Sequence, residues 1–538
     1  MTNEEPLNGF TGFARRKPGF VPASVSVGRT PVTPASSAIG ARSAAAGQSA
    51  ATAQSTEEAF SDQGYRGRFA QGGDVRSTFD GSSSASGGGS AFGGGHSASS
   101  GSQPMFGGNQ SAFGGSQSYP FSPASVNSVA KGALKFARDT ERDAAGALHF
   151  DPEKLRTIPD VDRRWSWVEV DLSAIRHNVM EYRRRLARST RLMAIVKADA
   201  YGHGAVQVAR TALNSGAEWL GVATVNEAIK LREALVNAPI LILSEPPATA
   251  APLLLAYKIT PAVYTPEFAI AYAETADAFG IRAPYHLAVN TGMNRIGVRY
   301  DQVIEFMTQI GFHRALELTG VFTHFATADA AETLDFQIQA KRFIEAVSAL
   351  RASGINPGIV HAANTAAGAR FGDVHFDMTR LGISLYGLHA SSETYGLLDL
   401  RPAMSVHARI TDTRTVAVGE GVSYGLEYRS PGSVKICTIP VGYADGLRHE
   451  LSGLTDVIVD GRRCRQVGQI CMDMCMFEVD MRIYGTRRRL DPQIGDEVLL
   501  VGRQGDAEIT LDEMAATLGT INYEMACGFG LRLPKVYK

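Results

Sequence analysis

The sequence lacks three features that would point to other classes of protein. Its formal net charge is −1 over 538 residues, so no excess of positive charge indicates binding to nucleic acid or to an acidic membrane surface. No apolar run approaches the ~20 residues that a transmembrane helix requires. Residues 1–6 lack the basic stretch and apolar run that begin a secretory signal. We therefore expect a cytoplasmic protein that has neither nucleic acid nor a membrane as a partner.

Cysteine is also scarce. The chain contains five cysteines, too few for a disulfide framework in a protein of this length. Cys471 and Cys475 have a CxxxC spacing, but no second pair with metal-ligand spacing accompanies them. We interpret them as buried free thiols in a reducing compartment, and we expect no metal site.

The N-terminal segment has few large apolar side chains. Up to about residue 125 it is dominated by Gly, Ser, Ala and Gln, as in 81–89. Such a segment cannot bury enough apolar surface to offset the ~1–2 kcal/mol per residue that ordering a backbone costs. We therefore expect residues 1–160 to form a disordered tail. Phenylalanines beside glycine, at Phe92, Phe106 and Phe113, would be weak sites for self-association or for partners, or part of an inert tail.

From residue 161 the composition is that of a globular domain, and short apolar runs alternate with helical patterns. Eight such repeats predict a parallel (β/α)₈ barrel over 161–400, with a doubly wound open sheet as the alternative. Beyond residue 400, strand patterns separated by turn residues predict a mainly β C-terminal domain over 401–538. The predicted barrel strands are 191–197, 218–223, 239–243, 260–264, 285–290, 316–323, 357–362 and 376–383.

Reactive and polar residues lie at the carboxyl ends of these strands, where barrel enzymes place their active sites. Lys197 ends the first strand, His324 follows the sixth, and Arg380 lies in the eighth. Thr365 and Gly382 follow or end the last two strands, where a phosphate is often held by backbone N–H groups.

A lysine in a partly desolvated pocket has a lowered pKa, and its neutral amine can form a Schiff base with a carbonyl. Alone, Lys197 is as easily interpreted as a surface residue after an edge strand. On the same rim as a predicted phosphate site, it indicates pyridoxal 5′-phosphate (PLP) as the cofactor.

Four segments, in order along the chain, resemble the motifs of alanine racemases, which are fold-type III PLP enzymes. They are 197–204, 439–446, 468–473 and 520–524. The resemblance covers about residues 160–538. It implies interconversion of L-alanine and D-alanine for peptidoglycan synthesis by a homodimer whose active sites are shared between subunits, with Tyr443 and Met472 entering the barrel mouth of the other subunit.

Racemisation removes the α-proton from one face of the amino acid and returns it to the other, for which two opposed bases are the simplest arrangement. The resemblance assigns Lys197 to the D enantiomer and Tyr443 to the L enantiomer. Because free tyrosine has a pKa of ~10, Tyr443 needs a hydrogen-bond partner, and His324, linked onward to Arg380, is the expected one.

The resemblance places Arg380 opposite the pyridine nitrogen of PLP. Because a guanidinium is always charged and only donates hydrogen bonds, it leaves that nitrogen unprotonated and weakens the ring as an electron sink. This favours racemisation over side reactions such as transamination. The other residues that the resemblance assigns are Tyr201, Tyr523, Thr365, Gly382 and Ile383 for the phosphate, Arg295 for the phenolic oxygen and the substrate, and Met472 and Asp473 for the substrate carboxylate or its approach.

The sequence departs from the family at two positions. Many members have a lysine, carbamylated in some, where Ala288 stands, and an aspartate where Asn290 stands. A carbamate that would orient Arg295 is therefore absent. Because an unpaired charge in a buried site is costly, we predict that a chloride, a water or another carboxylate takes its place.

Two other functions remain as alternatives. A decarboxylase of the same fold type needs a carboxylate against the pyridine nitrogen, and Arg380 at that position argues against this function. A non-catalytic PLP-binding barrel lacks a second domain, whereas this chain is predicted to have one that carries Tyr443. Serine or broad-specificity racemases stay open as variants of the first hypothesis.

Overall fold

The computed structural model describes residues 160–480, 490–530 and 532–538 and two short strands, Glu141–Arg142 and Leu148–His149, which pair antiparallel. The expected disordered tail over 1–160 falls, apart from those two strands and residue 160, outside the described residues. No helix in the described part of the chain is long and apolar enough to cross a membrane.

Strands of three or more residues are numbered here in chain order. They are β1 Ser166–Val170, β2 Arg191–Ile195, β3 Trp219–Val222, β4 Ile240–Ile242, β5 Thr260–Val263, β6 Ala283–Asn290, β7 Leu316–Phe322, β8 Ile359–His361, β9 Met378–Leu381, β10 Met404–Arg409, β11 Asp412–Val416, β12 Val434–Ile439, β13 Asp456–Val459, β14 Arg462–Val467, β15 Cys475–Val479, β16 Glu497–Gln504, β17 Ala507–Ile509 and β18 Lys535–Tyr537.

Right-handed α-helices of six or more residues are numbered in the same way. They are α1 Leu172–Arg183, α2 Ala205–Asn214, α3 Val225–Glu233, α4 Ala251–Ala256, α5 Pro266–Phe279, α6 Val303–Ile310, α7 Leu334–Ala352, α8 Thr365–Arg370, α9 Leu511–Leu518 and α10 Asn522–Gly528.

Strands β2 to β9 form the barrel. They are parallel, and their order is β8-β7-β6-β5-β4-β3-β2-β9. Backbone hydrogen bonds from Asp377 N to Val360 O (3.0 Å) and from Arg380 N to Ala363 O (3.0 Å) join the flanks of β8 and β9. Each predicted barrel strand overlaps an observed one, so the (β/α)₈ barrel is confirmed and the open sheet is excluded.

The second sheet has the order β11-β12-β15-β14-β13-β16-β10-β1-β18 and confirms the mainly β C-terminal domain. Strand β1 belongs to this sheet although it precedes the barrel in the chain. It pairs antiparallel with β10 and parallel with β18, and Trp167 stacks on His407 with ring centroids 5.2 Å apart. The expected division at 161 and 400 therefore misplaces β1, because the alternation of a strand does not reveal which sheet it joins. The rest of that division stays a prediction.

Helix α10 brings the second domain to the barrel. Tyr523, near its start, is half-buried against both large hydrophobic cores, the one in the barrel and the one in the second sheet. Helix α9 begins as the sequence predicts, with the Thr510 hydroxyl accepting a hydrogen bond from Glu513 N (3.0 Å). The five cysteines are free thiols, and of the CxxxC pair Cys475 is buried and Cys471 half-buried.

Candidate active site

A cavity of about 190 Å³ lies at the carboxyl end of the barrel strands. It contains both Lys197 and Arg380, so the two most reactive positions predicted from the sequence share one site. The predicted site residues that line the cavity are Lys197, Tyr201, Arg295, His324, Thr365, Arg380, Gly382, Ile383 and Tyr523.

The turn that carries Lys197 has an unusual backbone. Ala198, Asp199, Ala200 and Tyr201 have φ values of 51°, 50°, 57° and 48°, which is the left-handed region. This conformation costs L-residues about 1–2 kcal/mol each, so the turn persists only because surrounding contacts fix it. No feature of the sequence predicts it except the glycine that ends it, Gly202, with φ 81°.

Those contacts come from several elements. Ala198 N donates to Glu227 Oε1 on α3 (2.6 Å). The Asp199 carboxylate accepts from Ala205 N (3.0 Å) and pairs with Lys230 Nζ (2.9 Å) and Lys535 Nζ (3.1 Å). A left-handed turn held in this way directs both Lys197 and Tyr201 into the cavity.

Burial lowers the pKa of Lys197 from its usual value of 10.5, and the nearby positive charge of Arg295 lowers it further. At a given pH, a larger fraction of Lys197 is therefore neutral than of a surface lysine, as the sequence predicts. A lysine of this kind can act as a nucleophile or as a base.

One end of the cavity is lined with hydroxyl groups. Gly382 N donates to Thr365 Oγ1 (2.7 Å). A side chain at Gly382 would place its Cβ 3.2 Å from Thr365 Oγ1 and 3.5 Å from the Tyr201 hydroxyl, so the glycine keeps this space open. The Tyr201 ring packs edge-on against Tyr523 and Tyr386, with centroids 6.0 and 4.9 Å apart.

Arg380 is 3% exposed and is held entirely by neutral groups. Its Nη2 donates to the carbonyl oxygens of Thr323 (2.8 Å) and Ala362 (2.9 Å). The expected contact with His324 is present, at 3.3 Å to Nδ1, and Nη1 lies 3.1 Å from Nδ1 of His361. Burial lowers the pKa of Arg380 to about 10, so it stays charged at neutral pH. Among the described residues no carboxylate pairs with it.

Two buried histidines, His286 and His361, continue this arrangement. From the sequence, His361 is only one of the polar residues at the strand ends, with no assigned role, and His286 is not predicted. Because arginine only donates, His361 accepts at Nδ1 and carries its proton on Nε2, which lies 2.9 Å from His286 Nδ1. Burial lowers the pKa values of His324 and His286 to about 3 and that of His361 well below its usual value, so all three are neutral. Two signals in the sequence could have found them: His361 ends β8, and Gly320 interrupts β7. The structure explains the glycine, because a Cβ there would lie 2.6 Å from the His286 ring.

Arg295 lies at the cavity and is exposed. No carboxylate in the described part of the chain pairs with it, so, of the three predicted replacements, those residues do not supply the carboxylate. Arg295 is exposed in the single chain, so the premise of a buried charge does not hold there, and Ala288, where the family lysine would stand, packs with Ala262 and Phe322. A chloride or water at Arg295 stays a prediction. Asn290 shapes the loop before Arg295, since its Oδ1 accepts from Gly292 N (3.0 Å).

Three predicted site residues do not line the cavity: Tyr443, Met472 and Asp473. They lie together on the second domain, where Tyr443 N donates to Cys471 O (3.0 Å) and Ala444 N to Met472 O (3.1 Å). Tyr443 is 43% exposed and Met472 53% exposed. The structure therefore brings these residues to one another, but not to Lys197 of the same chain.

Comparison with known proteins identifies the family. The model of the alanine racemase N-terminal domain matches residues 170–390, and that of the alanine racemase C-terminal domain matches residues 403–537. An alanine racemase of Synechocystis sp. is 41% identical over 377 residues, which are 70% of this chain and 99% of that protein. The chain belongs to the alanine racemase family.

Solved structures agree with this membership. The structure of alanine racemase from Bacillus anthracis with bound L-Ala-P matches with a TM-score of 0.66 at 37% identity, covering 70% of this chain and 95% of that one. A histidine racemase from Leuconostoc mesenteroides matches with a TM-score of 0.63 at 28% identity, covering 70% and 98%. The chain is thus a racemase, and the resemblance inferred from its motifs is confirmed.

Proposed function

We propose that the protein interconverts L-alanine and D-alanine with PLP bound in the barrel cavity and one base on each face of the substrate. One observation carries this proposal. The cavity combines a lysine whose pKa is lowered with a buried arginine that pairs with no carboxylate of the described residues.

The lining of the cavity fits PLP. Thr365, Tyr201 and the open space at Gly382 suit a phosphate, which hydroxyl and backbone N–H groups bind well. Ile383 and Tyr523 would complete that end, and Lys197 would hold the aldehyde carbon. When bound, the cofactor would withdraw electrons from the substrate α-carbon and so acidify its proton.

Arg380 supports racemisation over decarboxylation. Its hydrogen bonds go to carbonyl oxygens and to neutral histidines, and it would present a charged donor to the pyridine nitrogen. A decarboxylase would need a carboxylate there. A ring that withdraws fewer electrons favours quick return of the proton to the α-carbon over competing reactions, which suits racemisation.

We assign the two proton transfers to Lys197 and Tyr443. Lys197 would remove the α-proton of D-alanine. Tyr443 would remove that of L-alanine as its phenolate, which would accept a stabilising hydrogen bond from the N–H of the neutral His324 imidazole. Since Tyr443 does not line the cavity of its own chain, it would enter the cavity of a second copy, and the functional unit would be a homodimer.

In this dimer, Met472 would reach the same cavity and offer its backbone N–H to the substrate carboxylate. Asp473 would lie at the approach. Arg295, exposed in the single chain, would be covered by the partner and would contact the PLP phenolic oxygen and the substrate. We propose supply of D-alanine for peptidoglycan as the biological role.

The assignment is tested by chemical labelling. Borohydride treatment of the purified protein should fix PLP on Lys197, detected by mass spectrometry, and no label on that residue would remove the proposal. D-alanine formed from L-alanine should be detected with D-amino-acid oxidase. Release of carbon dioxide without D-alanine would instead support the decarboxylase.

Substrate choice needs its own measurement, because a histidine racemase shares this fold. Racemisation of alanine, serine and histidine should be compared by kcat/KM, and we expect alanine to be fastest. A strain that cannot make D-alanine should grow without added D-alanine when it expresses the protein. Failure of growth despite racemase activity would argue against the peptidoglycan role.

A further inference from the structure

The turn that carries Tyr443 is tied down by a buried carboxylate. This Tyr443 turn covers residues 442–446, and Asp445 within it has a fully buried side chain. Its Oδ2 accepts a hydrogen bond from Gly442 N (3.0 Å), so the carboxylate closes the turn on itself. A buried charge is unfavourable unless it is paired, and two arginines supply the pairing.

The first arginine is Arg164. Its Nη2 donates to Asp445 Oδ2 (2.6 Å) and to Pro440 O (3.1 Å), so one guanidinium holds both the turn and the chain that leads into it. Arg164 lies before residue 170, where the match to the family model begins.

The second arginine, Arg532, connects the Tyr443 turn to the loop of Met472. Its Nε lies 3.4 Å from Asp445 Oδ1, and its Nη2 donates to Asp473 Oδ1 (2.6 Å). The two backbone hydrogen bonds between the turn and residues 471–472 run alongside this bridge. The turn and the loop therefore form one unit with a shared charge centre.

We propose that Arg164 and Arg532 are positioning residues that act through Asp445 to fix the Tyr443 phenol for catalysis in the partner's cavity. This inference rests on the proposed role of Tyr443 as the second base. Neither arginine lines the barrel cavity of its own chain. They act on the geometry of Tyr443 and not on the substrate.

The test uses Arg164→Met and Arg532→Met, with Arg463→Met as the matched control. Arg463 also bridges two carboxylates of the second domain, Asp456 and Glu513, and its side chain is 37% exposed against 43% for Arg532. Arg164→Lys keeps the charge but loses the forked geometry, and it should recover part of the function if Arg164→Met folds poorly.

The activity readout separates the two faces of the substrate. In D₂O, wash-in of deuterium at the α-carbon of D-alanine without inversion requires only Lys197, whereas racemisation requires Tyr443 as well. We expect racemisation to fall about 10- to 100-fold in both arginine variants while wash-in into D-alanine changes less than about 3-fold. Racemisation and wash-in falling together would overturn the inference.

A second readout does not depend on activity. Amide hydrogen exchange of residues 440–447, followed by mass spectrometry, should accelerate about 10-fold or more in the arginine variants and stay unchanged in Arg463→Met. Unchanged exchange in Arg164→Met and Arg532→Met would overturn the inference.

Tyr443→Phe separates this inference from the proposal on which it rests. If Tyr443→Phe lowers deuterium wash-in into D-alanine as much as it lowers racemisation, the two-base assignment fails, and the positioning role fails with it. If Tyr443→Phe separates the two rates and the arginine variants do not, only the positioning role is wrong.

Discussion

The barrel rim and the loops of the second domain hold their functional side chains in opposite ways. On the rim, Arg380 is buried, and hydrogen bonds to other residues of its own chain fix its guanidinium. On the loops, the side chains of Tyr443 and Met472 are exposed, and backbone hydrogen bonds between their two loops hold the main chain in place. On the proposed function, the rim is thus a preformed half of a site, and the loops are a preformed insert that the cavity of a second copy would receive.

The largest effect should come from the rim. Lys197→Ala should lower racemisation at least about 10³-fold, because it removes both the attachment point and one base. Borohydride labelling at this position should be lost with it. The control is Lys341→Ala on α7, an exposed lysine that forms a surface ion pair with Glu345 and should behave as wild type when replaced. Substantial racemisation by Lys197→Ala would contradict the central role of the lysine.

A mixing experiment tests the comparison itself. Lys197→Ala and Tyr443→Phe should each be nearly inactive alone. After subunit exchange, the mixture should recover up to about a quarter of wild-type activity, because half of the dimers are mixed and one of their two sites is intact. If each site were built from one chain, every site would carry a defect and no activity would return.

Two glycine substitutions, one in the Tyr443 turn and one on the barrel rim, should lower different quantities, kcat in the first and PLP affinity in the second. In Gly442→Ala the Cβ would lie 2.2 Å from Cys471 O, so the Tyr443 turn must shift, and we expect a loss of about 10²-fold in kcat with PLP retained. In Gly382→Ala the Cβ would enter the proposed phosphate space 3.2 Å from Thr365 Oγ1, and we expect weaker PLP binding by about 10-fold.

Cofactor retention is measured by absorbance after dialysis, and kcat in excess PLP. Gly372→Ala serves as the control, because its Cβ meets no atom within 4 Å. The same loss of PLP in both variants would show that the two halves are not independent.

The smallest expected effect is on pH dependence. A lysine with a lowered pKa disfavours protonation in the folded state, so its contribution to stability increases as the pH rises from the lowered pKa towards 10.5. Its reactivity should reach a plateau at lower pH than that of an exposed lysine. Labelling of Lys197 by an amine reagent in PLP-free protein, compared with Lys341, measures this.

Arg295→Met should shift the pH profile of Lys197 labelling to higher pH, because it removes a neighbouring positive charge that lowers the pKa of Lys197. A downward shift would contradict this origin of the lowered pKa.

Much of the barrel half could be predicted from the sequence. Apolar runs of strand length ending in Lys197 or His324 indicate both the barrel and the face where its chemistry lies. These signals are local, because each strand end lies next to its functional residue in the chain. The motif carrying Tyr443 was recognisable for the same reason.

The remaining features depend on contacts that have no local signature. Arg164 and Asp445 are 281 residues apart in sequence, and their ion pair leaves no pattern in either segment. Strand β1 resembles a first barrel strand, and only its partners reveal that it belongs to the other sheet. The contact of His286 with His361 likewise joins two strands, β6 and β8, that lie on either side of β7 and are far apart in the sequence.

The left-handed turn after Lys197 also links the two domains in folding. Residues of the barrel hold one side of it, since Ala198 N donates to Glu227 and Asp199 pairs with Lys230. Residues of the second domain hold the other side, since Lys535 pairs with Asp199 and the backbone of Ala526 closes against Gly202. A barrel that folded without the second domain would therefore lack part of what holds this strained turn, and Lys197 would be fixed less firmly.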